Sequence, residues 1–317
     1  MKKTLSIIVP CYNEEKTVRL FYEEVKKYID ELNINYELVF VNDGSRDHTV
    51  AEIQKLHEID HKIALLSFSR NFGKEAAMFA GIEYVKGDYV VIMDADLQHP
   101  PKLLKEMIRS IEEEGYQTVA AFRQDHKGNR EPLFRRIYSK LFYGFINKMS
   151  DVHLRSGSTD FRMMTRRVVD ALKQMKEYNR FSKGLFEWVG FKTKYLPYEN
   201  VERIAGNSTW SFFKLLNYAV EGITSFSIVP LRVATLIGVL SAFGSFAYML
   251  YVIIYKLVNP LSAVEGFPTL ISIISFLGGL ILICLGVLGE YIGRIYNEVK
   301  QRPIYIIDKQ LESEIDK

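Results

Sequence analysis

Two stretches of this chain, Val233–Tyr255 and Phe267–Gly289, contain no charged residue at all. At a rise of about 1.5 Å per residue, each makes a helix long enough to cross a hydrocarbon core about 30 Å thick. Buried helices of soluble proteins are rarely so long and so free of charge, so the pair reads as two membrane spans. Asn259-Pro260 and the turn from Gly266 to Pro268 mark a short connection, which makes the pair a helical hairpin. Both outer ends then lie on one side of the bilayer. Arg232, Arg294, Lys300 and Arg302 flank those ends, whereas the connection carries Glu265, with Lys256 the exception near it. Cytoplasmic loops carry the excess of Lys and Arg, so both termini are expected in the cytosol and the chain in the inner (cytoplasmic) cell membrane as a multi-pass protein. Ser211–Ile228, with Trp210, Phe212, Phe213, Leu215, Leu216 and Tyr218, reads as interfacial helices leading into the bilayer. Gly289 and Gly293 form one GxxxG pair, a weak signal for close helix contact.

Residues 1–210 are charged and mixed, and their apolar residues come in short runs. Leu5–Pro10, Tyr36–Val41, Ile63–Phe68 and Tyr89–Met93 read as buried strands, alternating with helical patterns such as the one ending near Leu32. The expected fold class is α/β, a doubly wound and mostly parallel sheet with right-handed crossovers. A formal net charge of +3 is too mild to point to a nucleic-acid partner. The two cysteines, Cys11 and Cys284, have no metal-ligand spacing, and Cys284 sits in an apolar run, so free thiols are expected. No GxGxxG or P-loop pattern is present among the strand ends, which disfavours a dinucleotide fold or an NTPase.

Each strand ends in a polar cluster. The first is followed by Tyr12-Asn13-Glu14-Glu15, the second by Asn42-Asp43-Gly44-Ser45, and the third by Ser69-Arg70-Asn71-Phe72-Gly73-Lys74-Glu75. The fourth stops on Asp94-Ala95-Asp96, and Pro100-Pro101 then opens a helix over Lys102–Glu113. In a parallel sheet these clusters share one crevice at the carboxyl ends of the strands. Paired carboxylates there suit a hard divalent cation, and that cation suits a diphosphate. Each cluster also has a plainer reading. Asp96 serves equally as a helix cap, Asp43-Gly44-Ser45 as a turn, Glu14 as a first-turn charge, and Arg70 and Lys74 as solvated cations.

The segments Ile-Val-Pro-Cys-Tyr-Asn-Glu-Glu (8–15), Val-Asn-Asp-Gly-Ser (41–45), Arg-Asn-Phe-Gly-Lys-Glu-Ala-Ala (70–77) and Asp-Ala-Asp-Leu-Gln-His-Pro-Pro (94–101) occur in this order. They resemble the inverting GT-A glycosyltransferases of family 2. The closer resemblance is to the polyprenyl-phosphate glycosyltransferases, relatives of dolichyl-phosphate mannose synthase and of bacterial undecaprenyl-phosphate glucosyltransferases. The resemblance implies a GT-A (Rossmann-like) sheet and nucleotide or donor binding by Pro10, Tyr12, Glu14, Asp43, Lys74, Asp94 and Gln98. It implies Mg2+ or Mn2+ on Asp96 and Asp94, which with Asp160 form the catalytic set. Asp160 lies in the polar loop Ser156–Arg162, where the family has an acid proposed as base or orienting group for the attacking phosphate. A phosphate monoester is already largely ionised near neutral pH, so positioning matters there as much as proton removal.

A basic stretch interleaved with aromatics, including Arg123, Lys127, Arg130, Arg135, Arg136 and Lys140, suits an interfacial element gripping a lipid phosphate. A basic run also serves as a solvated face, but the resemblance implies Arg123, Arg135, Arg136, Lys140 and Arg203 as acceptor-phosphate residues. Gly206 and Ser208 fit a loop closing over the diphosphate, or equally a surface turn. The resemblance implies transfer of one sugar, with UDP-glucose the preferred donor and UDP-GlcNAc, UDP-galactose and GDP-mannose left open, onto polyprenyl (undecaprenyl) phosphate with inversion, for later cell-surface glycosylation. The bilayer is a partner, a flippase and a second copy of the chain are left open, and no nucleic acid is involved. A processive polysaccharide synthase would carry Gln-x-x-Arg-Trp near Asn179–Trp188, and it is absent; a catalytically silent scaffold would not keep Asp94, Asp96 and Asp160. The expected organisation is a cytosolic GT-A domain over 1–210, interfacial helices over 211–230, the two spans within 231–293, and a cytosolic tail over 294–317.

Overall fold

Alternation along the first strand shows how the sheet is built. Leu5, Ile7 and Val9 of β1 (Thr4–Cys11) pack into one core, and Ile8 between them packs into a second. Successive side chains point to opposite faces, so a strand buried throughout must carry a layer of helices on each side. The computed structural model describes residues 2–124, 157–199, 222–259 and 266–314. One layer holds α1 (Val18–Leu32), α2 (Thr49–Ile59) and α4 (Leu103–Glu112). The other holds α3 (Lys74–Tyr84), α5 (Arg166–Lys173) and α6 (Ser182–Trp188). In α1 the buried residues Val18, Phe21, Val25 and Ile29 recur at helical spacing, and Asn33 ends the helix in a left-handed conformation. The apolar face of α3 is instead small. A Cβ at Gly81 would stand 2.3 Å from Ile8 Cγ2, so the helix lies directly on β1.

The strands order as β7-β5-β6-β4-β1-β2-β3-β8. The centre, β4 (Tyr89–Ile92), β1, β2 (Asn35–Asn42) and β3 (Ile63–Phe68), is parallel throughout. The flank mixes directions: β6 (Ser158–Thr165) runs antiparallel to both β4 and β5 (Thr118–Gln124), and β7 (Thr193–Glu199) is parallel to β5. The expected doubly wound, mostly parallel sheet is therefore present, with one reversed strand beside β4. That reversal brings the start of β6 to the edge where β4 ends.

The two charge-free runs are helical and longer than their charge-free cores. α7 covers Val229–Val258 and α8 covers Phe267–Val299, and both are long and apolar enough to cross a membrane. At their outer ends Tyr291 Oη donates to Ser227 O at 2.6 Å, and Arg294 reaches Ser225 Oγ at 3.0 Å. The hairpin is thus pinned at its outer end. Cys11 and Cys284 are both free.

The segment expected as a tail does more. After α8 the chain enters the sheet as β8 (Ile307–Leu311), antiparallel to β3. Tyr305 stacks on Phe68 with ring centroids 5.0 Å apart, and its hydroxyl donates to Glu83 at 2.7 Å. Glu298, at the end of α8, accepts from Tyr178 N at 2.8 Å. α8 is thus tied to the loop before α6 near its end and, through β8, to the sheet edge beyond it.

Candidate active site

The loops that follow β1 and β2 are locked to one another. Asn13 N donates to Ser45 Oγ at 2.9 Å, Glu14 N to Thr49 Oγ1 at 2.8 Å, and Arg46 N to Asn13 Oδ1 at 2.9 Å. The loop after β3 is held by Asp43, whose carboxylate accepts from Phe72 N at 2.6 Å and Gly73 N at 2.9 Å. Such an approach needs Gly44, which has φ +65° and where a Cβ would meet Arg70 C at 2.3 Å. Burial pushes the Asp43 carboxyl up, and the two backbone donors oppose it. These contacts frame a cleft of about 350 Å³ at the carboxyl ends of the parallel strands.

Seven of the expected residues, Pro10, Tyr12, Glu14, Asp43, Lys74, Asp94 and Asp96, line this cleft. Glu14 accepts a short hydrogen bond from Thr17 Oγ1, so it also shapes the turn into α1. Its carboxyl is raised by burial and by the neighbouring Asp96 and Asp94. Burial also pushes the Cys11 thiol well up, which leaves it a poor nucleophile. Leu97, at φ +59°, turns the chain sharply after Asp96, whose Oδ1 accepts from Gln98 N at 3.1 Å. A bulky residue in that conformation is strained, a cost that clusters at functional sites. Gln98 contributes to this turn and is not among the cleft-lining side chains.

The antiparallel β6 supplies the opposite wall. The antiparallel pairing ends at Ile92 across from Arg162, and β6 bulges just before that point, so Asp160 emerges beside the end of β4. Lys74, the first residue of α3, joins them: its Nζ lies 2.7 Å from Asp94 Oδ1 and 2.7 Å from Asp160 Oδ2. Burial alone would lower the Lys74 ammonium, but Asp94 and Asp160 outweigh it and hold it well above its usual range. The Lys74 side chain is still 43% exposed, so solvent screens the pair and little stability follows from it. Burial would raise Asp160, but Lys74, then Lys183, hold its carboxyl well below the usual range. Asp160 is therefore charged at any physiological pH.

Three supporting residues had no separate expectation attached. His99 is buried, stacks on Phe161 at 5.0 Å, and its Nδ1 accepts from Asp94 N at 3.1 Å. Burial lowers its pKa, so the neutral ring, with its proton on Nε2, fixes the backbone of Asp94. Glu75 accepts from Ser182 N at 3.0 Å and from the Ser182 hydroxyl, tying the start of α3 to the start of α6. Arg162 lies fully buried behind Asp160. All three sit inside motifs visible in the sequence; what singles them out is burial, which only the fold supplies. Arg123 stands exposed at the end of β5, its N donating to Gly157 O at 3.0 Å. Arg135, Arg136, Lys140, Arg203, Gly206 and Ser208 lie outside the described residues.

The donor set fits a divalent cation held jointly with a ligand. Asp94 and Asp96 offer oxygen only, as Mg2+ and Mn2+ prefer. Among the described residues no three acidic, His or Cys side chains close on one point, so the protein alone would not cage an ion. Glu14, Asp94 and Asp96 all line the cleft, so an anion entering it would be repelled unless a cation came with it.

The site thus joins a strand-end acid pair on an α/β sheet to a second acid through a lysine, in a chain that also carries two helices apolar enough to cross a membrane. The chain belongs to glycosyl transferase family 2, whose profile matches residues 6–173, and its hairpin matches the GtrB C-terminal hairpin over residues 229–295. CsbB of Bacillus subtilis (strain 168), whose name says glycosyltransferase and no more, is 48% identical over 303 residues, 96% of this chain and 91% of CsbB. The SfII prophage-derived bactoprenol glucosyl transferase of Shigella flexneri is 44% identical over 307 residues, covering 96% of this chain and 97% of its own. A likeness in structure is to glucosyl-3-phosphoglycerate synthase from Mycobacterium tuberculosis, crystallised with Mn2+ and UDP-glucose. It has a TM-score of 0.44 and 18% identity, covering 70% of this chain and 77% of that one.

Proposed function

We propose that this enzyme moves one glucose from UDP-glucose to polyprenyl phosphate at the cytosolic face of the membrane, inverting the anomeric carbon. The observation that carries the reading is Lys74 held 2.7 Å from both Asp94 and Asp160. One cation thereby couples the acid of the donor side to an acid on the opposite wall, in a domain bolted to a membrane hairpin. The name of the Shigella relative, a bactoprenol glucosyl transferase, supports the same acceptor and sugar.

In this reading Asp43 and Glu14 line the nucleotide end of the cleft, with Pro10 and Tyr12 as its wall. Asp96 and Asp94 would hold Mg2+ or Mn2+, which when bound would supply positive charge to neutralise the leaving group. Lys74 adds a second positive charge there as it releases Asp94. Asp160, charged throughout, orients the incoming phosphate for in-line attack. Arg123, with Arg135, Arg136, Lys140 and Arg203, grips the lipid phosphate, and Gln98 braces the acid-bearing turn. A single displacement turns an α-linked donor into a β-linked lipid sugar, the product a flippase then carries across the membrane. Domain boundaries follow as a cytosolic unit to about residue 210, an interfacial segment to about 230, and the hairpin beyond.

The test is transfer itself. Purified full-length protein, polyprenyl phosphate, Mg2+ and a panel of radiolabelled nucleotide-sugars are mixed, and the lipid phase is counted. Label from UDP-glucose should enter the lipid, and Asp96→Asn or EDTA should cut turnover by at least ~10²-fold, since charge stabilisation at a leaving group is commonly worth several kcal/mol. Full turnover with EDTA present, or label entering from another nucleotide-sugar in preference, would overturn the metal or the donor assignment respectively.

A further inference from the structure

Arg162 is the largest fully buried side chain among the described residues, and its three guanidinium nitrogens have no hydrogen-bond partner among them. The guanidinium centre lies 3.8 Å from the centroid of Phe186 on α6, a cation–π contact that offsets part of its lost hydration. Glu187 is close enough to be felt, but its carboxylate accepts instead from Tyr195 Oη at 2.7 Å. Opposite Arg162 on the neighbouring strands stand Ile92 and Ala120, which offer it no polar atom from their side chains. An unpaired buried charge is among the most costly features a core can hold, and apolar residues of similar volume commonly serve such a place as well or better. Packing therefore does not explain why an arginine stands here.

Its position does. Arg162 faces Phe186 of α6 and Asp160 bonds Lys74 of α3, so both lie on the same side of the sheet, and the guanidinium is near enough to be felt at the Asp160 carboxylate. Arginine keeps its charge at any accessible pH, and in a dry surrounding its field is little screened. Lys74 is different: it reaches solvent and is shared with Asp94, so its hold on Asp160 changes with what fills the cleft. The geometry points to Arg162 as a positioning residue for the transfer, a fixed buried cation beside Asp160 that keeps its carboxylate aimed when Lys74 turns to the donor. This rests on the role proposed above for Asp160.

The test uses the full-length protein in nanodiscs with UDP-glucose, Mg2+ and polyprenyl phosphate, comparing wild type, Arg162→Met, Arg162→Lys and Asp160→Asn. Arg162→Met should melt at or above the wild-type temperature, because it removes an unpaired buried charge. Its KM for UDP-glucose should stay within about twofold while kcat falls at least about tenfold, the pattern of an interaction used in the transition state alone. Arg162→Lys should recover most of the kcat. A wild-type kcat in Arg162→Met overturns the inference, and so does a kcat loss that only tracks a lower melting temperature. If Asp160→Asn is inactive while Arg162→Met is fully active, this inference alone fails. If Asp160→Asn keeps wild-type turnover, the reading of Asp160 fails and takes the inference with it.

Discussion

Glu75 is the residue whose protonation the fold disturbs within the physiological range. Burial raises its carboxyl to about 7, against which the Ser182 hydroxyl and backbone N–H only partly pull. The folded protein therefore keeps a proton that an unfolded glutamic acid, with a pKa of about 4.3, has already lost. The stability this contributes is fully present below about 4.3 and disappears as pH rises through about 7. Thermal melting across pH 5 to 8 should show the wild type losing on the order of 1–3 kcal/mol. Glu75→Gln, which still accepts from Ser182 but does not titrate, should flatten that slope; an unchanged slope in the variant would remove Glu75 as its cause. At this scale the sequence was most legible where a polar cluster directly follows an apolar strand. Glu14, Asp43, Lys74, Asp94 and Asp96 could be gathered into one cleft from that pattern alone. Asp160 could not, because its place beside Asp94 depends on β6 running backwards next to β4. Nothing in the residues near Asp160 encodes that direction.

Among the elements, β8 was the hardest to foresee. Ile-Asp-Lys-Gln-Leu has apolar residues only at its ends, and four of its five residues are exposed. It is a strand because β3 offers an open edge, and a long-range pairing of this sort leaves no local periodicity to read. The helices showed the reverse case. Charge-free length marks two stretches that both lie in long apolar helices, but α8 continues through Glu290, Arg294 and Glu298, since absence of charge does not measure helix length. Removing residues 304–317 would expose the β3 edge and take away the Tyr305–Phe68 stack. The melting midpoint of that variant should fall, by about 2–4 °C for each kcal/mol lost in a chain of this size. Its apparent KM for polyprenyl phosphate in vesicles should rise while the KM for UDP-glucose holds, because the site survives and its tie to the membrane helix does not. An unchanged midpoint and unchanged lipid dependence would mean that β8 is only an ornament on the edge. The same pairing bears on any piece ending near Trp210, which lacks β8 and so lacks one strand of its own sheet.

For the whole molecule, the sheet pairing of β8 and the hairpin connection together require one sidedness. The sheet precedes α7, β8 follows α8, and both belong to one domain, so the outer ends of the two spans emerge on the same face. The cation bias around those ends supports the proposal that this face is the cytosolic one. The most direct test is transfer in sealed vesicles of known orientation. UDP-[3H]glucose, which does not cross a bilayer, is added with Mg2+ to inside-out and to right-side-out vesicles carrying the enzyme and polyprenyl phosphate, with Asp96→Asn vesicles as the blank. Lipid-linked glucose should form in the inside-out vesicles alone, and at least ~10²-fold faster than in the blank. Equal labelling in intact right-side-out vesicles, or labelling that the Asp96→Asn enzyme matches, would contradict the account.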